Sequence, residues 1–233
     1  MTEHTELLDF NPPYLSPDYA VSVKRAPSKE LIELPREWFH RIAGPAFGHM
    51  TVRPGDADLT RRGAEHPIGQ RIVVHGRVLD SDGRGVPKAL IELWQANAAG
   101  RYNDASAPAF FPVDPNFLGA GRCLTANDGA YRFTTIRPGA YSAGPQYLFR
   151  PAHLHISLIG PTLGTRLVTQ MYFPDDPLFA GDPMVTSIPD RRARERLVGR
   201  FVEARVEPVG RDSAMYYEWD IVLRGATATP FES

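Results

Sequence analysis

The 233 residues carry 26 Lys+Arg against 27 Asp+Glu, a net charge of −1, so nothing in the charge balance points to nucleic acid or an anionic membrane surface as a partner. Hydrophobic residues make up 42%, enough for a sizeable core, yet no apolar run approaches the roughly 18 residues that span a bilayer. The single cysteine, Cys123, excludes an internal disulfide framework and any multi-cysteine zinc or iron–sulfur site, and fits a reducing compartment.

The first residues, Met1-Thr2-Glu3-His4-Thr5-Glu6, are polar and acidic, unlike a secretory signal, so a cytoplasmic setting is expected. Residues 1–66 read as an irregular arm. The stretch Asn11-Pro12-Pro13-Tyr14-Leu15-Ser16-Pro17-Asp18-Tyr19 cannot form a long helix or an inner strand, because its prolines lack the amide donor. Residues 28–34 read as a short helix capped by Ser28 and stopped before Pro35. An arm of this length with tyrosines and leucines is expected to pack on something, a partner subunit among the candidates.

From Pro67 the pattern becomes that of strands, and residues 67–233 are expected to form one catalytic β-domain. Residues 71–79 form a run of strand-formers, and Asp80-Ser81-Asp82-Gly83 marks a turn. Residues 89–96 are a second strand. Asn127-Asp128-Gly129 is another turn, leading into a strand over 130–135. Further strands are expected within 150–158, starting near Pro151, and at 166–173. Residues from Asp190 to about Val202 are charged with helical spacing, a late surface helix. Tyr217, Trp219, Ile221 and Leu223 alternate in a final strand. Twenty glycines and 22 prolines punctuate these short strands. The pattern predicts an all-β fold, an antiparallel β-sandwich with a long irregular N-terminal arm.

One stretch carries metal-site chemistry: Arg150-Pro151-Ala152-His153-Leu154-His155-Ile156-Ser157-Leu158. A strand sends residues two apart to one face, so His153 and His155 point together while Leu154, Ile156 and Leu158 face a core. Paired neutral imidazoles suit a transition metal, although such a pair also occurs on an ordinary half-exposed strand face. The usual completions fail. The next acidic residue after His155 is Asp175, so a facial triad lacks its carboxylate, and a cupin-type glutamate is absent from residues 156–160. The other histidines, His4, His40, His49, His66 and His75, are set aside as arm or structural residues. Tyr102 and Tyr141 stand at strand ends, where loops deliver functional groups. Most tyrosines are packing residues, and spacing alone promotes neither.

Several ordered phrases are similar to the intradiol ring-cleavage dioxygenases. They are Leu93-Trp94-Gln95-Ala96-Asn97-Ala98-Ala99-Gly100-Arg101-Tyr102, Gly121-Arg122-Cys123-Leu124-Thr125, Ile136-Arg137-Pro138-Gly139-Ala140-Tyr141 and Arg150-Pro151-Ala152-His153-Leu154-His155. The likeness runs almost from end to end and is strongest to the β subunits of the protocatechuate-cleaving branch. It implies a mononuclear non-haem Fe(III) ligated by Tyr102, Tyr141, His153 and His155, with a solvent hydroxide. It implies that a catechol-type substrate binds the iron through both ring oxygens, displacing the axial Tyr141, and that O2 then opens the ring to a cis,cis-muconate. Tyr141 would help accept a substrate proton. The resemblance further makes Arg150 a catalytic residue that stabilises negative charge on the substrate, and Gln170 a second polar residue near the site. Tyr19, Trp94 and Met184 match residues lining the substrate pocket or standing beside the iron. It also implies a homologous α subunit in a hetero-oligomer, with the arm intertwined with it.

One departure concerns the substrate. Between Tyr141 and Arg150 the chain reads Ser142-Ala143-Gly144-Pro145-Gln146-Tyr147-Leu148-Phe149. This loop is a residue shorter than is usual in that branch and lacks its tryptophan. Protocatechuate is the expected substrate, with 4-sulfocatechol or hydroxyquinol as alternatives. Two further readings are a non-catalytic β-sandwich subunit and a zinc enzyme built on the two histidines.

Overall fold

The computed structural model describes residues 10–29, 52–63, 65–104, 111–142, 149–160, 166–206 and 213–232. The helix expected at 28–34 and the loop at 143–148 lie outside the described residues, apart from Ser28 and Lys29.

Two sheets face each other. In the first, β1 (Arg71–Leu79) is central. It pairs antiparallel with β4 (Ala130–Ile136) on one side. On its other side lie β10 (Ser213–Glu218) and β11 (Ile221–Val222), both parallel to it. Beyond β10, antiparallel, is β9 (Arg200–Val206). The second sheet has the order β3 (Ala120–Leu124), β2 (Leu90–Trp94), β7 (His153–Ile159) and β8 (Leu167–Tyr172), antiparallel throughout. A small ribbon pairs β5 (Tyr141–Ser142) with β6 (Phe149–Arg150). The sandwich expected from sequence is present; the two parallel pairings onto β1 were not anticipated.

The alternation does what the pleat requires. Ile72 and Val74 of β1, Ile91 and Leu93 of β2, Phe133 of β4, and Leu154, Ile156 and Leu158 of β7 interlock between the sheets, nearly all with no exposed surface. Each such side chain contributes about 1.5–3 kcal/mol on burial. The turn at 127–129 forms as expected: Gly129 adopts φ +80°, which a side chain would resist.

Two readings are corrected. The late helix is only α3 (Arg191–Glu195), capped by the Asp190 side chain; residues from Arg200 onward are strand β9. The arginine-rich run has helical spacing, but pairing with β10 claims the aromatic and β-branched Phe201 and Val202. The final strand is two segments, because the backbone breaks at Trp219 and Asp220. There the Asp220 side chain accepts from Arg77 N (2.8 Å) and Trp219 N donates to His75 O (2.9 Å). Two short helices escaped sequence reading: α1 (Ala20–Arg25), and α2 (Pro183–Ser187), which Asp182 caps.

The outer face of the second sheet is covered by a separate apolar cluster. It joins Tyr19, just before α1, to Tyr172 of β8, Met184 and Val185 of α2, Ile188, Ala193 and Leu197. Described parts of the arm are therefore built into the domain: Leu59 lies in the main core, and Phe231 N donates to the Asn11 side chain (2.8 Å). Among the described residues no helix is long and apolar enough to cross a membrane.

Candidate metal centre

Register assembles the site. On the outer face of the second sheet, Trp94 of β2 lies opposite His155 of β7, which lies opposite Gln170 of β8; His153 lies opposite Tyr172. Cross-strand partners on one face stand about 5 Å apart, close enough for contact. The β5–β6 ribbon places Tyr141 opposite Arg150 at the edge of this row. Tyr102 arrives from the turn after β2, where Asn97 O accepts from Gly100 N and the Asn97 side chain accepts from Arg101 N.

The four expected ligands converge. Tyr102 OH lies 3.0 Å from His155 Nε2, the two histidine Nε2 atoms are 3.2 Å apart, and Tyr141 OH is 3.5 Å from His153 Nε2. The two tyrosine rings meet edge to face, 5.1 Å between centroids. His153 Nδ1 faces the Pro151 carbonyl at 2.8 Å. A carbonyl only accepts, so Nδ1 carries the proton and Nε2 offers its lone pair to the cluster. His155 is fixed differently, stacked on Trp94 with centroids 4.9 Å apart and planes 4° from parallel; the Arg166 guanidinium also lies over the Trp94 ring, 5.8 Å from its centroid.

The electrostatics favour neutral imidazoles. Burial, then the Arg150 charge, pushes His155 down to about 3 and His153 well below its usual range. Burial, then Tyr141, holds the Tyr102 phenol well above 10. Tyr19 is pushed up to about 12, chiefly by burial. Without a cation, then, the two imidazoles present ready lone pairs while the buried Tyr102 phenol stays protonated. A bound cation reverses that preference for a phenol, because a nearby positive charge favours the ionised form.

Donor chemistry and spacing fit one metal ion. Atoms bound about 2.1 Å from a common centre at right angles lie about 3 Å apart, and the three separations above are of that size. The set is two phenol oxygens and two imidazole nitrogens. Among the described residues no group of three His, Cys, Asp or Glu side chains could hold a metal.

Arg150 borders the four, 2% exposed. Its Nη1 donates to Tyr141 OH (3.2 Å) and lies 3.3 Å from His153 Nε2. Its Nη2 donates to Gln170 Oε1 (2.6 Å) and Tyr172 OH (2.9 Å), and its Nε to Asp182 Oδ2 (2.8 Å). Burial alone would lower its pKa, but Tyr172, Tyr141 and Asp182 hold it protonated and raise it. Gln170 Nε2 in turn donates to the Glu232 carboxylate. The Tyr19 ring lies against the Arg150 guanidinium, 5.4 Å from its centroid. Met184 is fully buried, and its sulfur accepts from Tyr172 OH at 3.6 Å. All nine residues singled out in sequence thus fall in one cluster.

Asp182, Tyr172, Glu232 and the Pro151 carbonyl escaped sequence reasoning. Only Asp182 had a legible cue, an aspartate directly before a proline, which is a helix start. Of the histidines set aside, His75 is half-buried in β1 with its ring 6.2 Å from Tyr216. A cavity of about 340 Å³ lined by Thr60, His66, Gln70, Arg71 and Ser213 shares no residue with the cluster.

Comparison with known proteins accords with this geometry. A family model described as dioxygenase matches residues 42–225, and one described as protocatechuate 3,4-dioxygenase beta subunit N terminal matches residues 12–37. The chain is 49% identical over 225 residues to a protocatechuate 3,4-dioxygenase beta chain of Burkholderia cepacia, covering 95% of this chain and 94% of that one. It is 30% identical over 165 residues to a protocatechuate 3,4-dioxygenase alpha chain of Pseudomonas putida, covering 70% and 76%. A solved 3-chlorocatechol 1,2-dioxygenase of Rhodococcus opacus 1CP shares the fold, with a TM-score of 0.55 at 22% identity over 78% of this chain and 71% of that one.

Proposed function

This chain belongs to the intradiol ring-cleaving dioxygenases, and from that premise we propose that it opens protocatechuate with O2 to 3-carboxy-cis,cis-muconate at a mononuclear ferric iron. The single observation that carries the proposal is the convergence of two phenol oxygens and two imidazole nitrogens beside one buried arginine. The relative named as a protocatechuate 3,4-dioxygenase beta chain supports the choice of substrate.

Tyr102, Tyr141, His153 and His155 would hold the iron. Ferric iron there would supply a Lewis acid that ionises the phenols and the catechol and an acceptor for electron density from the ring. The residues do the rest. His153 and His155 bind as neutral imidazoles, the first fixed by Pro151 O and the second by its stack on Trp94. The Tyr141 phenolate oxygen takes a proton from an incoming catechol hydroxyl. Arg150 Nη1, 3.2 Å from that oxygen, stabilises negative charge appearing on the substrate oxygens, a role of the kind that can dominate a barrier. Gln170 buttresses the guanidinium through Nη2. Tyr19, Trp94 and Met184 belong to the walls around this space. A companion chain similar to the alpha chain above would complete the assembly, with the N-terminal arm packed on it.

The test is iron analysis, visible absorption and turnover of protocatechuate, catechol, hydroxyquinol and 4-sulfocatechol by the purified protein. A red-brown protein with iron in proportion to chain, and the highest kcat/KM for protocatechuate, is expected. A colourless protein that turns over catechols without iron overturns the metal assignment. A higher kcat/KM for another catechol replaces the substrate and leaves the chemistry.

A further inference from the structure

Arg150 has five N–H donors, and each of its three nitrogens has partners. Nη1 faces Tyr141 OH and His153 Nε2. The opposite edge, Nε and Nη2, is gripped by the two carboxylate oxygens of Asp182, at 2.8 and 3.2 Å. A guanidinium is planar and rigid, so fixing one edge aims the other. Asp182 is itself immobilised. It is 1% exposed, and its Oδ1 also accepts from Met184 N (2.9 Å) and Val185 N (3.1 Å) in the first turn of α2 and from Tyr172 OH (3.3 Å). Stability alone is a weak reason for such a pair, because a buried ion pair replaced by well-packed apolar groups often costs a protein nothing.

We propose that Asp182 is a positioning residue: it transmits the placement of α2 to Arg150, so that Nη1 alone is presented to Tyr141 and the reacting oxygens. The inference rests on the roles given above to Arg150 and Tyr141, but its structural half is independent of iron. Serine also caps helices well, so Asp182→Ser keeps a capping side chain and removes the two-oxygen grip.

Two measurements test it. In metal-free protein, the Arg150 Nε–H resonance, identified by its absence in Arg150→Lys, is protected from exchange in the native chain and loses that protection in Asp182→Ser. In iron-loaded protein, Asp182→Ser lowers kcat by roughly 10–100-fold, as loss of supporting contacts around a metal site does, with KM within about threefold. Its tyrosinate-to-iron absorption band shifts as Nη1 leaves Tyr141. In an Arg150→Lys background the same change costs less than about threefold more. A folded Asp182→Ser protein with native kcat per iron and an unmoved band overturns the proposal, as does full additivity with Arg150→Lys. Should the serine variant not fold, Asp182→Glu, which keeps the charge but displaces the grip by one methylene, must show the same kcat loss; native kcat in folded Asp182→Glu overturns it. A native protein without iron or turnover sinks the iron reading instead, while the resonance still reports whether Asp182 holds the arginine.

Discussion

At the scale of single residues, Tyr141 occupies the most contested position. Its hydroxyl lies 3.5 Å from His153 Nε2 and accepts from Arg150 Nη1 at 3.2 Å. Deleting that one oxygen in Tyr141→Phe removes a ligand and a proton acceptor together. The expected result is a changed visible absorption and a kcat lower by about 100-fold, the size of a lost acid–base group; unchanged absorption with unchanged turnover would exclude the assigned role. Cys123 shows the opposite case, a nucleophile silenced by its place. Partly buried against the main core in β3, its thiol is pushed up to about 12, chiefly by burial. Its unfolded value is about 8.5. The folded pKa is raised, so this contribution to stability is full below about 8.5 and is lost as pH climbs toward the folded value near 12. Thermal melts from neutral to alkaline pH should therefore fall less steeply for Cys123→Ala than for the native chain, and native Cys123 should resist thiol reagents at pH 8 until the protein is unfolded.

At the scale of elements, β1 illustrates what local pattern reads well and what it misses. Its nine residues are the expected ones, since a run of Ile, Val and Leu has few other uses. Its neighbours are not legible locally. Gly76 sits where β10 gives way to β11, and a Cβ there would stand 1.9 Å from the Trp219 carbonyl oxygen. Backbone at that distance cannot yield as a side chain could, so Gly76→Ala should destabilise the protein by about 3 kcal/mol, read as a lower urea midpoint. The late charged run fails for the complementary reason. Its helical spacing is real over Arg191–Glu195, but beyond Leu197 the chain gains more by pairing with β10 than by extending an exposed helix. Likewise α2 rests on Asp182 and Pro183, a start too short to outweigh its surroundings in sequence, yet it supplies the carboxylate that grips Arg150.

At the scale of the whole molecule, two apolar groupings do different jobs. The main core locks the sheets together, while the cluster of Tyr19, Tyr172 and Met184 seals the outer face that carries the histidines. Val21 and Val23 of α1, within the arm, remain 53% and 62% exposed, and Ile68 just after it 74%. Co-expression with a chain similar to the alpha relative should yield a stable hetero-oligomer by size exclusion with light scattering; a fully active monomer would refute the companion. The sequence by itself determined the class of the fold, the strand that buries Leu154, Ile156 and Leu158, and the common direction of His153 and His155, because a pleat of period two is a local property of the chain. Resemblance, not periodicity, singled out Tyr102 and Tyr141. What only the tertiary structure decided is the assembly of the site: which strands lie beside β7, so that Trp94, Gln170 and Tyr172 stand in register with the histidines, and which carboxylate aims Arg150. Those are contacts between residues tens of positions apart, set by sheet order and by the packing of α2, and no local pattern encodes them.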